Sequence, residues 1–298
     1  MKVMLIGTSG QVGWELARSL QPLGEVVALD QAECDLSRPE SVAGCVAAVA
    51  PDLIVNAAAY TAVDKAESEE ALATRINGDA VGELACAARK QGALLIHYST
   101  DYVFDGTKTG AYEEDDPVAP LNAYGRSKLA GEQAIQAAGG DYLILRTTWV
   151  YAARGSNFVR TMLRFGVERE RLSVVADQIG APTWARNIAD ATAQIAALAG
   201  VERRRSRFGS GIFHIAGGGE TSWHGFAEAI FAGVRQTMPE CQLKVTAVEP
   251  IDSAAYSTPA KRPLNSRLDQ RRLANRFGIV MPPWHQSLQR CIEEMACR

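Results

Sequence analysis

Short apolar runs alternate with longer stretches of mixed polarity through the first half of the chain. "KVMLI" precedes "QVGWELARSL", "EVVAL" precedes a stretch around "PESVAGCVAAVA", and "DLIVNAAA" precedes "EEALATRINGDAVGELACAARKQG". "ALLIHYS" then leads through a loop to "LNAYGRSKLAGE", and "DYLILRTTWV" closes the series. The short runs are nearly continuous in apolar residues, as strands buried on both faces must be, and the longer stretches read as helices. Strands that alternate with helices imply right-handed crossovers and a parallel sheet covered on both faces. The pattern therefore predicts an α/β fold built on a doubly wound parallel sheet.

Beyond about residue 150 the rhythm loosens. Helices are expected near 156–168 and 187–199, then a strand at "GIFHIAG" and a helix from Trp223. The last quarter, with "STPAKRPLNSRLD" and "MPPWHQ", is richer in Pro, Arg and polar residues. It reads as a smaller mixed α/β part laid over the sheet edge. The expected division is a dinucleotide-binding domain over 1–150, also receiving 186–217, and a substrate-binding part formed by 151–185 and 218–298. The basic run "ERRRSRF" at 202–208 reads as a solvated loop.

Composition narrows the function. The chain has 298 residues, 47% of them hydrophobic, and a formal net charge of −3, which favours neither nucleic acid nor an anionic membrane as partner. The apolar run before Gly7 is too short for a signal-peptide core, and no run approaches a membrane span. Cys34, Cys45, Cys86, Cys241, Cys291 and Cys297 show no C-x-x-C pair and no zinc spacing with the four histidines. A reduced, cytoplasmic chain is expected.

Gly7, Gly10 and Gly13 stand directly between the first strand and the first helix. Glycines there permit a tight turn and a close approach of a pyrophosphate to the helix N-terminus. Asp30 ends the second strand, where a carboxylate accepts hydrogen bonds from adenosine ribose hydroxyls and repels a 2′-phosphate. Asp30 thus leans towards NADH, while Arg38 nearby leaves NADPH open. The fold expected is Rossmann-type. In "LNAYGRSKLAGE", Asn122 can cap a helix that carries Tyr124 and Lys128 on one face, a turn apart. A phenol near its ordinary pKa is a sluggish acid at neutral pH, and an adjacent ammonium favours its ionised form.

The glycine spacing, the "NAAA" at 56–59, the "ST" at 99–100 and the Y-x-x-x-K together resemble the extended short-chain dehydrogenase/reductase superfamily. Finer strings resemble the dTDP-4-dehydrorhamnose reductases within it: "GQVGWEL" (10–16), "NAAAYTAVDKAE" (56–67), "STDYVFDG" (99–106), "LRTTWVY" (145–151), "DQIGAPT" (177–183) and "RPLNSRLD" (262–269). The resemblance implies reduction of the C4 ketone of dTDP-4-dehydro-L-rhamnose with NADH or NADPH, the last step to dTDP-L-rhamnose, a building block of lipopolysaccharide O-antigen. By role, Tyr124 is the proton donor, Lys128 holds the nicotinamide ribose and lowers the phenol pKa, and Thr100 binds the carbonyl oxygen and orients Tyr124. By resemblance, Gly10, Gln11 and Val12 line the pyrophosphate, Asp35 and Leu36 lie by the adenine, and Ala57, Ala59, Tyr60 and Thr61 run under the cofactor. Thr61, Val63, Asp101 and Trp149 are then expected to touch the substrate, although Trp149 reads equally well as core. Asn157 and Arg262 are candidates for the diphosphate and thymine.

Three rivals remain at this point. Nucleotide-sugar 4,6-dehydratases follow the Thr-Asp pair with a Glu, and this chain has Tyr102 there, which disfavours elimination. A 4-epimerase is not separated by motifs. The regulatory subunit of methionine adenosyltransferase resembles the same family without reducing sugars, but the intact Thr100, Tyr124 and Lys128 set favours an enzyme. Some family members are associated with magnesium, for which Glu293 and Glu294 are candidate ligands. A homodimer is the default expectation.

Overall fold

A computed structural model describes residues 1–297. Six parallel strands form the central sheet: β1 (Lys2–Ile6), β2 (Glu25–Leu29), β3 (Leu53–Asn56), β4 (Leu94–Thr100), β5 (Tyr142–Thr147) and β6 (Gly211–His214), in the order β2-β1-β3-β4-β5-β6. The chain enters at β1, moves outward to β2, then returns past β1 to β3. That reversal opens a crevice at the carboxyl ends of β1 and β3, where ligands of open α/β sheets bind.

Period-two alternation sends neighbouring side chains to opposite faces. Val3, Leu5, Leu53, Val55, Leu94 and Ile96 pack against α1 (Gln11–Ser19), α6 (Ala185–Arg204) and α8 (Arg271–Phe277). Met4, Ile6, Ile54, Leu95 and Ile144 face α2 (Pro39–Val49), α3 (Ala80–Gln91) and α4 (Ala123–Ala138). A third core gathers Tyr151, Val159, Met162, Phe226, Phe231, Leu288 and Ile292. These belong largely to α5 (Phe158–Glu168), α7 (Trp223–Thr237) and α9 (Trp284–Ala296). A parallel ribbon of Arg171–Val175 with Ala247–Ile251 flanks it.

Three stretches differ from the pattern-based expectation. The long helix after β3 is broken by a π-turn over Arg75–Asp79, where Gly78 passes α4 so closely that a Cβ would lie 3.2 Å from that of Ala130. "DYLILRTTWV" is not one strand: β5 stops at Thr147, Trp149 takes a left-handed φ of 45°, and a separate bridge strand follows at Val150–Tyr151. Finally, the basic run starts inside α6. Arg203 donates to Asp141 Oδ2 at 2.8 Å and to Gly92 O at 2.6 Å, pinning that helix end to the loops before β5 and β4.

Candidate active site

The site grows from two close backbone approaches. Gly7 adopts φ 88°, and a Cβ there would lie 2.5 Å from Ala58 N; one on Gly13 would lie 2.0 Å from Gly7 O. Only glycine fits such a junction of strand and helix. Gly10 caps α1 with no side-chain hydrogen bond, so the first N–H groups of the helix remain available to an anion. Gln11 and Val12 open this helix, and Val12 leans on the core beneath it. These residues fit a dinucleotide pyrophosphate. Asp30, exposed at the end of β2, accepts from Ala32 N at 2.8 Å. Asp35 is held below the usual carboxylate range, mainly by hydrogen bonds from Ser37, and Arg38 Nε stands 3.8 Å from it. Leu36 is buried beside them.

Helix α4 carries the chemical pair. Asn122 Oδ1 accepts from Gly125 N at 2.8 Å, the cap expected from the sequence, and its Nδ2 donates to Lys261 O. Two glycines bring α4 against its neighbours. A Cβ on Gly125 would lie 2.3 Å from Tyr102 O, and one on Gly131 would lie 2.1 Å from Asn77 O. Tyr124 lies edge-on to Tyr102, ring centroids 5.5 Å apart. Its phenol is pushed up to about 12 by burial, with Asp101 adding and a hydrogen bond with Thr100 opposing. Thr100 Oγ1 also donates to Asp101 Oδ1 and accepts from Tyr102 N, both at 3.2 Å.

Lys128, expected from the sequence to lower the phenol pKa, holds its amine against the neighbouring strand. Its Nζ turns towards β4, 2.7 Å from Tyr98 O and 3.1 Å from His97 Nε2. Burial lowers it to about 8, with Glu132 opposing. Burial is the largest influence on the Tyr124 phenol. Asp101, just past β4, is raised to about 6 by burial, against hydrogen bonds from Ser266, Thr100 and Thr148.

The loop after β3 passes under this pair. Ala57 N donates to Ile6 O, and Ala59 is half-buried. Asn77, on the π-turn, grips Tyr60 through both backbone groups, at 2.9 and 3.0 Å, and also donates to Ser127 Oγ at 2.9 Å. Ser127 lies between Tyr124 and Lys128, so one buried amide ties the loop to α4. Thr61 is exposed and Val63 half-buried. Asp64 accepts from Arg262 Nη2 at 2.7 Å, while Arg262 Nη1 is buried without a partner among the described residues. Trp149 stacks on Trp223 at 3.6 Å between centroids, and a Cβ on Gly180 would meet its ring at 2.6 Å. Asn157 donates to Gln11 Oε1 at 2.9 Å, joining α5 to the glycine loop.

Asp64, Asn77, His97 and Glu132 were given no role by the sequence, and Asn56 entered only as part of the "NAAA" string. The Asn-Gly of "RINGDA", inside a helical run, was the one available signal. His97 on an apolar strand carried none. Glu293 accepts from Gln289 at 3.3 Å and from Arg290 at 3.0 Å, and no group of three or more His, Cys, Asp or Glu side chains among the described residues could hold an ion.

A doubly wound sheet with a glycine loop at its switch point and a Y-x-x-x-K helix beside it defines a nicotinamide-dependent dehydrogenase/reductase of the extended short-chain type. A family model described as the RmlD substrate binding domain matches residues 1–297. The chain is 55% identical to the dTDP-4-dehydrorhamnose reductase of Burkholderia thailandensis, covering 99% of each, and 46% identical to that of Salmonella typhimurium, covering 99% of this chain and 98% of the relative. Its fold matches the Bacillus anthracis dTDP-4-dehydrorhamnose reductase solved with NADP at a TM-score of 0.87 and 37% identity, over 98% of this chain and 99% of the other. The chain belongs to the dTDP-4-dehydrorhamnose reductase family.

Proposed function

We propose that this protein reduces the C4 ketone of dTDP-4-dehydro-L-rhamnose to give dTDP-L-rhamnose, the last step of its synthesis and a supply for O-antigen assembly. The observation that carries the reading is the placement of Thr100, Tyr124 and Lys128 at the carboxyl end of β4 and on the adjoining helix, across from an uncapped helix start. The bound nicotinamide supplies the hydride. As negative charge builds on the C4 oxygen, Tyr124 donates its proton and Thr100 steadies the same oxygen. Lys128 binds the nicotinamide ribose, and leaving the Tyr98 carbonyl for that task brings its charge to bear on the phenol. Asp30, Asp35 and Leu36 hold the adenosine end; Gly7, Gly10, Gln11, Val12 and Gly13 hold the pyrophosphate.

The unpartnered Nη1 of Arg262 suits an anionic diphosphate, and Thr61, Val63, Asp101 and Trp149 line the sugar side. The third core is the substrate-binding part, and the sheet with its flanking helices is the dinucleotide-binding one. The NADP in the Bacillus anthracis relative supports NADPH as a cofactor, with Arg38, 3.8 Å from Asp35, as the cation for its 2′-phosphate. The protein acts in the cytoplasm as a homodimer. The test supplies dTDP-4-dehydro-L-rhamnose, made in place from dTDP-glucose, and follows cofactor oxidation with NADPH and NADH separately. Stoichiometric oxidation with dTDP-rhamnose as product supports the reading; cofactor binding without oxidation overturns it.

A further inference from the structure

Hydrogen-bond directions around Lys128 constrain where protons sit. Asn56 Oδ1 accepts from Ala58 N at 3.1 Å, and since a backbone N–H can only donate, the amide orientation is fixed. Asn56 Nδ2 therefore donates to His97 Nδ1, 3.1 Å away. His97 is fully buried, and that burial is the main cause holding it well below its ordinary pKa, so its ring carries one proton. With Nδ1 accepting, that proton is on Nε2, pointing at Lys128 Nζ 3.1 Å away. An ammonium there would face a donor with a donor. The arrangement is satisfied by a neutral amine that accepts from Nε2–H and donates to Tyr98 O.

We propose that His97 is a positioning residue of the reductase site: by moving its ring proton between Nε2 and Nδ1, it ties the charge of Lys128 to the orientation of Asn56 and the backbone at Ala58. When Lys128 becomes charged, the Nε2 proton passes to Nζ and one proton from solvent ends on Nδ1. Asn56 must then turn its oxygen to Nδ1–H and give up Ala58 N. Ala58 is the residue against which Gly7 closes, so the charge on Lys128 is felt at the glycine loop. The titratable groups facing the amine are His97 from β4 and Glu132 from α4, while the Tyr98 phenol bonds Thr192 Oγ1 on the other face of the sheet. Glu132 is bound to Arg146 of β5 by hydrogen bonds of 2.8 and 2.6 Å.

The inference rests on the reductase reading for the role of Lys128, but its test needs no turnover. Cofactor-free protein labelled with 15N-histidine and 13C-lysine is titrated from about pH 6 to about pH 10, with His97 assigned by its loss in His97→Gln. The expected result is exchange of the His97 tautomer in step with Lys128, around pH 8. One unchanging tautomer while Lys128 titrates, or Lys128 titrating at the ordinary lysine position, overturns the proposal. In His97→Asn the amide reaches Asn56 but not the amine, and the Lys128 midpoint should rise by about one unit, a tenfold change in the ratio of charged to neutral amine. His97→Gln, which places an amide near Nζ, should keep the midpoint near wild type. Identical midpoints in all three proteins also overturn it. Wild-type spectra decide the matter even if a variant fails to fold. A working relay without ketosugar turnover faults the reductase reading alone; turnover without the relay faults this inference alone.

Discussion

Tyr124 is the residue on which the proposed chemistry turns. Tyr124→Phe removes the proton donor and leaves the ring in place, so the rate should fall by roughly 10²–10⁴-fold while NADPH affinity changes little. Steady-state turnover and a fluorescence titration of NADPH separate the two, and near-normal turnover would refute the role. Asp101 gives a second single-residue test. Burial raises its folded pKa from 3.8 to about 6, so the charged form is disfavoured in the folded protein. The stability tied to its neutral form is present below pH 3.8 and is lost as pH rises through about 6. Asp101→Asn should flatten that slope and stabilise the protein at pH 7 by roughly 2–3 kcal/mol, at about 1.4 kcal/mol per unit. Denaturant unfolding at pH 4 and pH 7 measures it; an equal effect at both would refute the assignment.

At the scale of elements, α4 is placed by absent side chains as much as by present ones. A methyl on Gly131 would collide with Asn77 O, a backbone atom on a π-turn that cannot retreat freely. Gly131→Ala should therefore cost roughly 1–3 kcal/mol, and it should raise the KM for NADPH because Lys128 and Ser127 shift with the helix. Thermal unfolding and kinetics of that variant check both; unchanged values would mean α4 tolerates a wider separation. Much of this region was legible in the sequence. The Asn122 cap, the shared face of Tyr124 and Lys128, and the strand–glycine–helix start all follow from local rules. The π-turn did not, because it arises where Asn77 bonds Tyr60 and Ser127, partners distant in the chain. The break after Thr147 was hidden for the same reason: Trp149 takes its left-handed turn where its ring stacks on Trp223, 74 positions later in the numbering (223 − 149). Relay residues such as His97 sit on strands that read as plain core, since burial and apolar neighbours are what periodicity detects.

Across the whole molecule, the sheet's two faces and the third core make separate packing bodies. Phe226 sits fully buried at the centre of the third, touching Tyr151, Phe158 and Trp284. Phe226→Ala should cost about 3–5 kcal/mol and disturb substrate affinity more than cofactor affinity, a split that unfolding and two binding titrations would show. Between the bodies runs the hydrogen bond from Asn157 to Gln11, with Asn157 also capping α5 through Arg160 N. One amide thus belongs at once to the helix start that we assign to the pyrophosphate and to a helix of the part that we assign to the sugar. Two ligands that each settle the same amide are energetically coupled, and such coupling is reciprocal. Whatever factor bound NADPH adds to the affinity for dTDP, dTDP must add to the affinity for NADPH. In Asn157→Ala that shared factor should shrink towards one in both directions, and calorimetry run in each order of addition would register the loss of cooperativity.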